Sequence, residues 1–134
     1  MTTAGFLKLY AVGLVVYVGL DALFLGVLAR GFYQQHLGPI MRAQVRWAPA
    51  IAFYAVYVVA LVVFVVEPGL EKGSLARAVG LGAFFGLVVY AAYDMTSLAV
   101  IRGFPGIVAV VDMAWGALLA GVVCGAMHLV GRAS

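Results

Sequence analysis

Three aspartates, Asp21, Asp94 and Asp112, stand inside long apolar runs of this chain. A carboxyl group in such a setting can bind a proton, a cation or a polar ligand, or it can tie helices together. Placing a charged side chain at bilayer depth costs at least ~2.5 kcal/mol, so carboxyls kept there face a protein interior and mark function. Two of the three follow a tyrosine by one helical turn, as Tyr17-x-x-x-Asp21 and Tyr90-x-x-x-Asp94. In the first run Tyr10, Leu14, Tyr17 and Asp21 fall at i, i+4, i+7 and i+11, which is one stripe of a helix. Phenol and carboxyl groups on one stripe suit hydrogen bonding between neutral or ionised acids and hydroxyls.

The elements that must carry these residues are membrane spans. Of 134 residues, 66% are hydrophobic and 10% charged, with a mean hydropathy of +1.16. A soluble domain needs roughly 25% charged residues, so lipid is the solvent here. A span needs about 20 apolar residues. Four stretches qualify, at about Phe6 to Ala29, Trp47 to Val66, Ala78 to Ile101 and Gly106 to Val130. The first run is too long for a signal h-region and lacks a small-residue cleavage site, so it is kept as a span. Pro39 and Pro105 fall in connections, Pro49 in the first turn of the second span, and Pro68 just past its end. The expected architecture is one all-α domain over residues 1–134, a four-helix transmembrane bundle with two tandem hairpins as one way to build it.

With four spans both termini share a face, here face A, and the first and third connections emerge on face B. Asp21 lies about 13 Å along the helix from Arg30, Asp94 about 12 Å from Arg102, and Asp112 about 9 Å beyond Gly106. All three therefore belong to one layer near face B. Tyr54 joins it from the second span, about 10 Å inside Trp47, with Tyr57 a turn deeper. Ser97 follows Asp94, and Trp115 and Gly116 share the face of Asp112. Lys8, Lys72, Arg77 and Arg132 stand on face A against Arg30, Arg42, Arg46 and Arg102 on face B, a balance that leaves orientation open. Three arginines between Arg30 and Arg46 lean towards a cytoplasmic face B.

The first and third runs repeat one another: Tyr17-x-x-x-Asp21 then Arg30-Gly31-Phe32 matches Tyr90-x-x-x-Asp94 then Arg102-Gly103-Phe104, with one residue of slippage. On the following spans Tyr54-x-x-Tyr57 aligns with Asp112-x-x-Trp115. A duplicated hairpin would relate the halves by a pseudo-two-fold axis along the membrane normal. The strings Leu20-Asp21 through Gly31-Phe32-Tyr33, Tyr90 to Asp94-Met95-Thr96 and Val111-Asp112-Met113-Ala114-Trp115-Gly116 resemble an uncharacterised bacterial family of small membrane proteins, a domain of unknown function. The resemblance covers nearly the whole chain and implies four helices carrying acids at Asp21, Asp94 and Asp112. It implies no activity, and Phe24 stands where the family commonly has tryptophan.

The candidate site is Asp21, Asp94, Asp112, Tyr17, Tyr54 and Tyr90, with Arg42, Arg46 and Arg102 reaching from face B. One reading makes these groups glue, acids paired with arginines or tyrosines to hold helix register. The favoured reading is binding or transport of a small molecule or lipid, with proton coupling as one form of it. Alternatives are a lipid-processing enzyme, with arginines clamping a phosphate, and an accessory subunit packed through Gly82-x-x-x-Gly86, Gly116, Gly121 and Gly125. Whether the chain is an enzyme is left open. Expected partners are membrane lipids, a small ligand, and further copies or a larger membrane complex, in the bacterial cytoplasmic membrane. A net charge of +3 with scattered basic residues excludes nucleic acid as a partner. No cofactor or metal is expected: Cys124 has no partner cysteine, His36 and His128 are far apart and interfacial, and no D-x-x-D or H-x-x-x-H spacing occurs. Trp47 reads as an interface anchor.

Overall fold

The computed structural model describes residues 3–24, 27, 31–32, 35 and 47–133. Among these, four helices are long and apolar enough to cross a membrane: Thr3–Leu23, Ala48–Lys72, Leu75–Val100 and Gly106–Ala133. They are called the first to fourth spans below. Large apolar side chains cover their outer faces, among them Val15, Val56, Phe64, Phe84, Val100 and Val110. In water those faces would be a fatal exposure, whereas in hydrocarbon they are solvated.

The second span runs further than the sequence suggests. It is α-helical over Trp47–Leu61, passes through a π-helical segment at Val62–Val66, and continues as helix over Glu67–Lys72. Pro68 thus lies inside the helix rather than beyond it. Proline has no N–H to give and crowds the carbonyl four residues earlier. A wider turn just upstream relieves that crowding, and the Glu67 N–H bonds the Val62 carbonyl across it.

What ends the second span is Gly73, at φ +62 in the left-handed region. Its N–H bonds Leu70 O at 3.1 Å while the Ser74 N–H bonds Gly69 O at 3.1 Å, a Schellman turn. Ser74 then caps the third span, its hydroxyl accepting from the Arg77 N–H at 3.1 Å. The connection on face A is therefore two residues. On face B the third span stops at Ile101, Gly103 turns the chain at φ +79, and the fourth span begins at Gly106.

Close packing concentrates between the third and fourth spans. A Cβ at Gly82 would sit 2.8 Å from Cys124, and one at Gly86 would collide with the Gly116 carbonyl and the Ala120 methyl. These glycines let two backbones touch, the packing that substitutes for hydrophobic drive inside lipid. The fourth span is the axis of the bundle: 44% of its most apolar window is buried against 17% for the third. By contrast the N-terminal half of the second span scarcely meets the third.

Candidate functional site

Asp21 is 5% exposed and takes two hydrogen bonds. The Tyr54 hydroxyl donates to Oδ2 at 2.6 Å and the Trp115 indole N–H donates to Oδ1 at 3.1 Å. Three spans meet on this one carboxyl. Two accepting oxygens are the bonding pattern of an ionised carboxylate, which has four acceptor positions and nothing to donate. No lysine or arginine among the described residues pairs with it. Trp115 is itself held by Phe24, whose ring stacks on the indole at 4.1 Å and 7°.

Tyr17 does not bond the aspartate on its own stripe. It is fully buried, and its hydroxyl bonds that of Tyr90 on the third span. Tyr90 can reach inward because Gly116 has no side chain: a Cβ there would strike the Tyr90 ring. Around Tyr17 the rings of Tyr54 and Tyr57 pack at 5.2 Å and 5.4 Å, a tilted and an edge-on contact. Tyr10, at the far end of the stripe, instead donates to the Ala55 carbonyl at 3.2 Å.

Asp94 is fully buried, and neither of its oxygens has a hydrogen-bond partner among the described residues. Its carboxyl lies beside that of Asp112, close enough to interact electrostatically without meeting hydrogen-bond geometry. Two carboxyls side by side in a low dielectric repel strongly when both are charged. Among the positions matched in the sequence repeat, Tyr17 meets Tyr90, and Tyr54 stands beside Asp21 as Asp112 stands beside Asp94. The remaining matched pair differs: Trp115 donates to Asp21, whereas the Tyr57 hydroxyl has no partner among the described residues.

A cavity of about 360 Å³ opens where the second and third spans part. Asp21 and Asp112 are the acidic residues of its largely apolar lining, and Phe53, Tyr54, Tyr90 and Tyr93 supply aromatic walls. Ala50 and Val89 complete the lining. Phe53 and Tyr93 are 42% and 61% exposed, which places one side of the cavity at the outer surface of the bundle.

Of the candidates from sequence, Asp21, Asp112, Tyr54 and Tyr90 line this cavity. Tyr17 lies behind Tyr90, and Asp94 adjoins Asp112 without lining it. Arg102 is exposed beside the turn at Gly103 and does not line the cavity. Arg42 and Arg46, like Arg30, His36 and the Trp47 side chain, lie outside the described residues. No group of three His, Cys, Asp or Glu side chains among the described residues gathers closely enough to hold a metal ion. His128 is fully buried with both ring nitrogens lacking hydrogen bonds among the described residues, so it is not interfacial as its position near the span end suggests. Sequence reasoning left Trp115, Phe53 and Tyr93 off the site. The signal for Trp115 was present in Asp112-x-x-Trp115, since an indole N–H on an inward face needs an acceptor.

Four helices of this length with apolar outer faces define a multi-pass integral membrane protein. The sequence profile of a family described as a predicted membrane protein, domain of unknown function 2177, matches residues 6–129, and the chain belongs to that family. Neither a curated protein nor a solved structure matches it.

Proposed function

We propose that this protein binds a small amphipathic molecule or lipid that enters sideways from the bilayer, polar end first, as the recognition step of carriage within or across the membrane. The observation that carries this reading is a cavity of about 360 Å³ lined by two carboxyls and four aromatic rings, with Phe53 and Tyr93 exposed at the outer surface of the bundle. Glue alone would favour a filled interior, since a void forfeits packing contacts. Pockets for small ligands are similarly apolar with a few placed polar groups. The all-helical spans suit a bacterial cytoplasmic membrane, outer membranes being the home of barrels.

Native mass spectrometry of protein released from its own membrane in polymer-bounded lipid discs tests this. A bound species of constant mass is expected, lost when Ala50→Phe fills the cavity. Retention of the same species in that variant would overturn the reading.

A further inference from the structure

Resting on that reading, we infer that the occupant's polar end is an organic cation, an ammonium or phosphonium-like group, bound between Asp21 and Asp112 and caged by aromatic rings. The first support is what lines the cavity: two carboxyls and no basic side chain among the described residues. A phosphate or carboxylate headgroup would meet like charge there without a basic side chain among the described residues to offset it.

Charge placement gives the second support. Asp21 is oriented by Tyr54 and Trp115, which donate to both of its oxygens and so stabilise negative charge without cancelling it. Asp112 adds a second carboxyl to the same lining.

Third, the walls are rings. Phe53, Tyr54, Tyr90 and Tyr93 come from two spans on opposite sides of the cavity. Ring faces carry negative quadrupole potential, and such cages select alkylated cations that cannot donate hydrogen bonds. An aromatic wall also tolerates the apolar substituents of a lipophilic cation, which a water-lined cation site does not.

Equilibrium binding to the full chain in an uncharged detergent decides the matter, with tetraphenylphosphonium as probe and tetraphenylborate as an anion of nearly the same shape. The phosphonium is expected to bind saturably and the borate at least about tenfold more weakly. Asp21→Asn should weaken the phosphonium by about tenfold, and Phe53→Leu, at the partly exposed edge of the cavity, by about three- to tenfold. Equal binding of both ions would overturn the cation assignment while leaving an amphiphile pocket standing. Unchanged phosphonium affinity in both variants would also overturn it, by placing the probe elsewhere. Failure of the Ala50→Phe test would remove the pocket itself.

Discussion

Asp21 holds two donors that Asp94 lacks, and the two carboxyls therefore respond differently to one substitution. In Asp21→Asn the amide oxygen can keep the Trp115 N–H while the amide nitrogen donates to the Tyr54 hydroxyl, so two bonds to a carboxylate become neutral ones, a loss of about 1 kcal/mol. In Asp94→Asn no hydrogen bond among the described residues is lost, and a buried carboxyl without partners gives way to an uncharged amide of the same shape. Thermal unfolding in detergent is expected to show a lower midpoint for the first and an equal or higher one for the second. The reverse order would show that the hydrogen bonds to Asp21 contribute little. The i, i+4 spacing correctly placed Tyr17 and Asp21 on one buried face, since both point inward. It could not say which side chain each would meet, because spacing along one helix carries no distance to its neighbours. For that reason Tyr17 bonds Tyr90, and Trp115, read as a companion of Asp112, serves Asp21.

Glycines decide the helix pairs. At Gly116 and Gly86 a methyl group would strike Tyr90 and the Gly116 carbonyl respectively, so Gly116→Ala and Gly86→Ala should each destabilise the fold by about 1–3 kcal/mol through overpacking. Gly80, where an added Cβ meets nothing within 4 Å, is the control; Gly80→Ala should leave the unfolding midpoint unchanged or raise it. Equal effects at all three would mean that helix propensity outweighs contact between spans. At the face A turn Gly73 sits at φ +62, and Gly73→Ala should cost about 1–2 kcal/mol, read in the same melts. The spans were legible because apolar length alone decides them. Their ends were less so: Pro68 normally signals a stop, and the π-helical turn at Val62–Val66 that lets the helix pass through it leaves no mark in an unbroken run of valines and phenylalanine.

At the scale of the whole molecule, four spans make a bundle with one tight pair, the third and fourth, and one half-parted pair, the N-terminal half of the second span standing off the third. Composition announced the bilayer and the acids announced a polar layer. The parted pair was not legible, since a gap between helices is a property of packing that no single run records. A ligand that reaches the cavity from the bilayer must pass through that gap. A photoreactive benzoylphenylalanine replacing Phe53 at the cavity edge, irradiated in native membranes, tests this most directly; Phe84, 63% exposed on the third span and not among the cavity-lining residues, is the reference position. One adduct of defined mass is expected from position 53, abolished when Asp21→Asn and Asp112→Asn are combined and absent from position 84. A spread of bulk phospholipid adducts, the same from both positions and indifferent to the two aspartates, would contradict it.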